Sequence, residues 1–373
     1  MIYLDNAAST FVDEDVLSSY QKFVKEFYAN PSSSHGYGLK CADLELKARK
    51  QIASLLKVKE NEIIFTSGAT EANNLAIKGA ALYYKERGNH IVTSKIEHAS
   101  VLEAFRQLEN EFGFNVTYLD VDEYGKINID ELKNVINDNT ILVSIMSVNN
   151  ETGVINNIEE IANVLSKYPK VLFHSDITQS VGKISVDLSK VDMASLSLHK
   201  VHGFKGSGIL VKKSYVTLLP LLSGGGQEYN LRSGTNNLPY EVSAAKTLRI
   251  AFEKQKDNYK KVKELHTYLY EELKNIEGVT MNSTLDGSPY IMNFSISKKA
   301  SVVVEALSNK GIYVSTKSAC SSKKSSTSYV LQALGKTDNQ ASNAIRVSFT
   351  YETNKEEIDT FIKELKLILK SIR

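Results

Sequence analysis

Only two cysteines, Cys41 and Cys320, occur in the 373 residues. They build neither a disulfide framework nor a zinc pattern, so no metal is expected, and free thiols in a reducing compartment fit the composition. Long hydrophobic runs are missing as well. "ILVSIMSV" (141–148) has the length of a buried strand, and "VTLLPLL" (216–222) is interrupted by proline, so neither spans a membrane. Nor is there an excess of charge: 45 Lys and Arg against 43 Asp and Glu leave +2, which calls for no nucleic-acid partner. The opening "MIYLDNAASTFVDEDV" carries neither the basic nor the apolar part of a secretory signal, and a cytoplasmic location without a membrane partner is the expectation.

What is present reads as an α/β protein. A hydrophobic share of 42% supplies a large core, and the length favours two domains. Between about 60 and 213, seven short runs alternate with amphipathic or alanine-rich stretches: "EIIFTSG", "HIVTS", "NVTYLDV", "TILVSIMSV", "VLFHSDI", "MASLSL" and "GILVKK". That alternation predicts βα units and a mostly parallel sheet covered on both faces. Further on, Tyr259, Val262, Leu265, Leu269, Leu273 and Ile276 recur at helical spacing and predict a long helix linking two lobes. Beyond it, "SPYIMNFSIS" and "NAIRVSFTY" read as strands, "SVVVEALSNKG" as a helix closed by glycine, and Ile358, Phe361, Leu365, Ile368 and Ile372 as the stripe of a last helix. This is a smaller α+β lobe.

Three stretches carry chemistry. "TSGATEANN" (66–74) sets Thr70 at a strand-to-helix turn, where free N–H groups and the helix dipole attract an anion such as phosphate; alone, such a turn is equally an N-cap. "HSDITQS" (174–180) ends a strand on Asp176, with Gln179 close behind. Strand ends of this kind line α/β ligand sites, although many acids there only cap a helix. In "SLSLHKVHGFKGSG" (195–208), Lys200 follows the next strand. Desolvation at that edge favours the neutral amine that attacks carbonyls; an isolated lysine there would instead extend to the surface. Together, an anion site, a carboxylate for a pyridine nitrogen and a strand-end lysine are what pyridoxal phosphate requires of a protein.

At this point the sequence resembles the pyridoxal-phosphate-dependent cysteine desulfurases of the NifS/IscS type, within the class-V aminotransferases. The resemblance runs nearly end to end, through "YLDNAAST", "NPSSSHGYG", "EIIFTSGATEANNLAIKG", "IVTSKIEHASV", "VSIMSVNNETG", "HSDITQSVGK", "SLHKVHGFKGSG", "GGGQEYNLRSGTNN", "KSACSSKKSSTSYVLQALG" and "NAIRVSF". It implies the fold type I architecture of pyridoxal-phosphate-dependent transferases, with a mostly parallel seven-stranded sheet. It also implies a large cofactor domain over 16–245, a small α+β domain from 1–15 with 246–373, and a homodimer.

By the matching motifs, Lys200 would bond the cofactor's aldehyde and later move protons, Asp176 would pair with the pyridine nitrogen, Gln179 would bond the ring's phenolic oxygen, and His98 would stack on the ring. Ala69, Thr70, Ser197 and His199 would bind the phosphate, and Thr235 would reach the phosphate of the neighbouring protomer. Asn150 and Arg346 would hold the substrate carboxylate, the arginine as a two-pronged donor. Cys320 matches the nucleophile. It sits in a serine- and lysine-rich stretch that reads as a loop, where Lys317, Lys323 and Lys324 favour the thiolate, whereas Cys41 lies in a helical pattern and is expected to pack.

The implied reaction converts L-cysteine to L-alanine and leaves a persulfide on Cys320. The sulfur then passes to an acceptor protein for iron–sulfur cluster assembly, tRNA thiolation or thiamine synthesis. Selenocysteine lyase or another β-lyase is the alternative within the fold, and a non-catalytic sulfur-relay scaffold the alternative outside enzymes. The sequence departs from the family pattern at Leu198, Phe204, Tyr229 and Asn230, which bears on local turns and the dimer contact. The short stretch after the last helix lacks the longer tail with which some members dock an iron–sulfur scaffold, and the resemblance therefore leaves room for a different acceptor.

Overall fold

The computed structural model describes residues 1–316 and 327–372. Strands β1 (Ile2–Tyr3), β2 (Ile63–Thr66), β3 (His90–Ser94), β4 (Asn115–Leu119), β5 (Thr140–Ser144), β6 (Leu172–Asp176), β7 (Met193–Ser197) and β8 (Gly208–Lys212) precede a long helix, Leu238–Lys274. Strands β9 (Val279–Met281), β10 (Ile291–Ile296), β11 (Ile312–Tyr313) and β12 (Ala344–Ser348) follow it.

The seven runs of the sequence are β2 to β8, and they form one sheet in the order β2-β8-β7-β6-β5-β3-β4. Every neighbouring pair from β7 to β4 is parallel, while β8 runs antiparallel to both β7 and β2. The reversal has a simple cause: β7 reaches β8 through a glycine-containing turn, too short for the crossover that a parallel neighbour needs. Alternate residues of each strand pack on opposite faces of the sheet. Ile91 and Leu142 pack with Ala72, Ala76 and Ala80 of helix Ala69–Tyr84. Val92 and Val143 pack on the other face with Ile52, Phe173 and Leu248.

A second core surrounds the antiparallel sheet β12-β10-β9 and includes Phe294, Val347, Phe361 and Leu365. The long helix joins both cores, with Ala244 and Leu248 in the first and Val262, Leu265, Leu269 and Leu273 in the second. It begins at Leu238, well ahead of the stripe read from the sequence, with Pro239 in its first turn. Small buried residues, Ser243, Ala244 and Ala245, concealed that first part because they give little hydrophobic contrast. The chain start also enters the second core: β1 pairs with β11, and Leu4 and Ala7 are buried there. Among the described residues no helix is long and apolar enough to cross a membrane.

One close approach ties the sheet to a helix start. Gly68 caps helix Ala69–Tyr84 at φ 152°, ψ 177°, a conformation open to glycine. A Cβ on Gly208, at the start of β8, would lie 2.4 Å from Gly68 Cα. Backbone meets backbone there, so neither side can give way cheaply. Gly208→Ala is therefore expected to lower stability by about 1–3 kcal/mol. Urea unfolding should show an earlier midpoint at unchanged slope, and an unmoved midpoint would contradict the close approach.

Candidate active site

Because β5, β6 and β7 run parallel, their carboxyl ends open on one edge, and a cavity of about 290 Å³ lies there. Asp176 ends β6, and a single turn of 3₁₀ helix, Leu198–Lys200, carries Lys200 beyond β7. Both line the cavity, together with His98, Thr70, Gln179 and Asn150. Ala69, Ser197, His199 and Arg346, four more of the expected residues, line the same hollow.

The N-terminal segment closes the cavity over Lys200. Lys200 Nζ donates to the carbonyls of Ala7 at 2.7 Å and Ala8 at 2.6 Å. Gln179 Nε2 donates to the same Ala7 carbonyl at 3.0 Å, while its Oε1 accepts from Lys183 Nζ at 3.1 Å. Thr10 donates through its backbone and hydroxyl to the His199 carbonyl, which fixes the turn bearing Lys200. Nothing in the side chains of "YLDNAAST" announces this role, because backbone carbonyls do the accepting.

Asp176 is buried and accepts from Asn73 Nδ2 at 2.8 Å and from Thr178 N at 3.0 Å. Asn73 escaped the sequence reading. It projects from the helix that begins at the anion-attracting turn, and also donates to Ser100 Oγ at 2.9 Å. Ser100 in turn lies 2.8 Å from Nδ1 of His98, the N-cap of helix Ala99–Phe112. One hydrogen-bonded chain thus orients the carboxylate and the imidazole together.

At the opposite pole, Gly68, Ala69 and Thr70 open the helix that follows β2. Ser197 Oγ lies 3.7 Å from where a Gly68 Cβ would stand, so a hydroxyl faces the free N–H groups of the helix start. His199 approaches Ser9 Oγ through Nδ1 at 3.3 Å. Burial, then Lys200, Lys205 and Lys183, push its imidazole down to about 4, so it is neutral at neutral pH. Thr235 is not in this cavity. It lines a separate hollow of about 160 Å³ with Ser67, Gly206 and Arg232.

Arg346 on β12 is 1% exposed; it donates through NH1 to the Asn150 carbonyl at 2.8 Å and through NH2 to Asp5 at 2.7 Å. The four departures from the family pattern find places. Leu198 is buried in the first core beside Gly203, whose missing Cβ leaves it room. The Phe204 ring lies 4.6 Å from that of Tyr20 and 5.5 Å from that of Tyr240. Tyr229 and Asn230 adopt left-handed conformations at φ 57° and 64°. Cys41 is buried inside helix Gly36–Leu56, and Cys320 lies outside the described residues.

Fold and site together define a pyridoxal-phosphate-dependent enzyme of fold type I. A family model described as aminotransferase class-V matches residues 2–361. The cysteine desulfurase IscS of Buchnera aphidicola subsp. Schizaphis graminum is 42% identical, covering 100% of this chain and 93% of that protein. A solved NifS-like protein superposes with a TM-score of 0.94 at 38% identity, over 100% of both chains. A structure titled "SspA in complex with cysteine" gives 0.83 at 35% identity, over 95% of this chain and 100% of that one. The chain belongs to the class-V aminotransferase family, in its NifS/IscS cysteine desulfurase branch.

Pyridoxal 5′-phosphate is the cofactor of these enzymes, and the donor set fits it. A helix start with a facing hydroxyl suits the phosphate, and Asp176 offers a buried carboxylate to a ring nitrogen. Lys200 brings a primary amine to the same cavity.

Beside His98, Glu97 is fully buried; its Oε1 accepts from Ser94 Oγ and Met146 N, and its Oε2 has no partner among the described residues. Burial, with the charge of Asp176 adding to it, pushes its carboxyl up from 4.5 to about 8. The folded chain therefore holds a proton that the unfolded chain releases above pH 4.5, and this residue's contribution falls as pH rises from there to about 8. The neutral isostere Glu97→Gln should consequently gain stability relative to the parent across that window and level off above it. Urea unfolding of both proteins at pH 5, 7 and 9 checks this, and a constant difference would refute it.

Proposed function

We propose that this chain converts L-cysteine to L-alanine and carries the abstracted sulfur as a persulfide on Cys320, for delivery to an acceptor protein. The observation that carries the reading is the convergence of Lys200, Asp176, His98 and Thr70 on one cavity. When bound, the cofactor supplies an electron sink for bonds at the substrate's α-carbon.

The chain's own groups do the rest. Asp176, held by Asn73 and Thr178, would pair with the ring nitrogen and keep it protonated, and His98, which lines the same cavity, would stack on the ring. Thr70, Ala69, Ser197 and His199 would hold the phosphate. Arg346, fixed by Asp5 and by the carbonyl of Asn150, receives the substrate carboxylate together with the Asn150 side chain. Lys200 would anchor the cofactor through its amine and would move the proton at the substrate's α-carbon. The Cys320 thiolate attacks the substrate sulfur: an S–S bond forms, the C–S bond breaks, and its electron pair goes to the β-carbon, which a proton then completes as the methyl group of alanine.

Thr235 acts from the neighbouring protomer of a homodimer, and its place in a hollow apart from the cavity supports that. A large unit over 16–245 and a small one from 1–15 with 246–373 belong to the same reading, supported by two separate cores. Iron–sulfur cluster assembly, tRNA thiolation or thiamine synthesis is the destination of the sulfur, and the cytoplasm the place, in keeping with a free buried thiol at Cys41.

Borohydride reduction of the yellow holoenzyme followed by peptide mapping should place the pyridoxyl label on Lys200; a label elsewhere would sink the assignment. Cys320→Ser should keep the visible absorption and lose sulfide release from cysteine, and undiminished release would overturn the persulfide step. Arg346→Lys exchanges a two-pronged donor for a point charge, and should raise KM by roughly 10–100-fold with a smaller loss in kcat.

A further inference from the structure

Lys183 has no part in the reaction described above, yet it is buried, four positions beyond Gln179 in the segment between β6 and β7. Its Nζ donates to Gln179 Oε1 at 3.1 Å and lies 5.8 Å from the centre of the Tyr290 ring. It borders a second, small cavity of about 30 Å³ behind Lys200. Burial, then the charges of Lys200 and Arg346, brings its ammonium down to about 7. Burying a lysine beside other cations disfavours the charged form, so packing alone gives no reason for an amine here.

The hydrogen bonds supply the reason. A carboxamide has two N–H donors on nitrogen and an acceptor on oxygen. For Gln179, the oxygen is taken by Lys183 and one N–H by the Ala7 carbonyl. The second N–H is the donor left to a side chain that lines the cavity. Charged or neutral, the lysine keeps N–H groups to give, and the Ala7 carbonyl can only accept. Both ends of the amide are therefore committed to one orientation.

We infer that Lys183 is a positioning residue: it clamps the Gln179 carboxamide so that an N–H, and never the carbonyl, meets the phenolic oxygen of bound pyridoxal phosphate. This rests on the reading of Gln179 given under the proposed function. A fixed donor at that oxygen stabilises its anionic form and lowers the pH at which the cofactor's visible band titrates. The other titratable groups around the two cavities stay in place when Lys183 is changed: Lys200, His199 and His202 on the turn after β7, Lys205 ahead of β8, Asp13 near the N-terminus, Asp176 on β6, His98 ahead of helix Ala99–Phe112, Glu71 on helix Ala69–Tyr84, Tyr290 ahead of β10, and Arg346 and Tyr351 on and after β12.

The test is a spectrophotometric titration of the holoenzyme with Gln179→Ala, Lys183→Met and the double variant. Gln179→Ala should raise the midpoint by about one pH unit, the tenfold change that one lost hydrogen bond to a charged group brings. Lys183→Met should raise it comparably, and the double variant should move no further than Gln179→Ala alone. A wild-type midpoint in Lys183→Met overturns the inference, as does a shift that persists undiminished in the Gln179→Ala background. If Gln179→Ala itself leaves the midpoint unmoved, the role of Gln179 falls and the inference with it, while the mapping of Lys200 is unaffected. Should Lys183→Met not fold, Lys183→Gln in the same two backgrounds reads the same coupling.

Discussion

The parallel pairing of β6 with β7 is the constraint on which the site depends. In that register Asp176 stands opposite Ser195, so both strands deliver their carboxyl ends to one edge. A reversed β7 would send the turn of Lys200 to the far side of the sheet. Antiparallel β8 complements this arrangement, because the short return from β7 brings Gly208 against Gly68 and so sets the helix start beside Ser197. Three distant parts of the sequence therefore meet without any of them being long or flexible.

Buried polar groups fasten that edge. His174 lies on β6 between Ser144 Oγ at 2.8 Å and Ser195 Oγ at 2.9 Å, and so links β5, β6 and β7. Burial pushes its imidazole down to about 4 against the pull of Asp176. A neutral imidazole has one donor and one acceptor, and two hydroxyls complement it whichever tautomer is present. Glu97 is held in the opposite sense, as a carboxyl kept protonated by burial. In both cases burial makes the uncharged form prevail, against Asp176 at His174 and with it at Glu97.

The seven strands of the large sheet were legible in the sequence because each is a short apolar run, and most are β-branched and followed by an amphipathic or alanine-rich stretch. Lys200 and Asp176 were legible as candidates because strand ends are where such folds place ligands. Asn73 and Lys183 were not, since each acts on a side chain rather than on a ligand, and each reads locally as one more helical or turn residue. The grip of Ala7 and Ala8 on Lys200 joins positions 193 and 192 residues apart, through atoms that every residue type possesses. The long helix was half legible, where large apolar residues mark its buried face. Its first part packs with alanine and serine, which carry no such contrast.

The turn at Glu228, Tyr229 and Asn230 shows how a departure in sequence can be absorbed without loss of form. Three consecutive non-glycine residues there take left-handed conformations, at φ 48°, 57° and 64°, each of which costs conformational energy. Asn230 tolerates the region because its short polar side chain suits it. Glu228 then holds the turn down, accepting from both Arg49 nitrogens at 3.0 and 2.7 Å and from Phe65 N at 2.8 Å. Arg49 also bonds Glu45 and the Ile63 carbonyl, so the strained turn is bolted to β2 from below. The wall of the hollow that contains Thr235 includes Glu228 itself. The shape presented there depends on this buried ion pair, which holds three strained non-glycine residues in place.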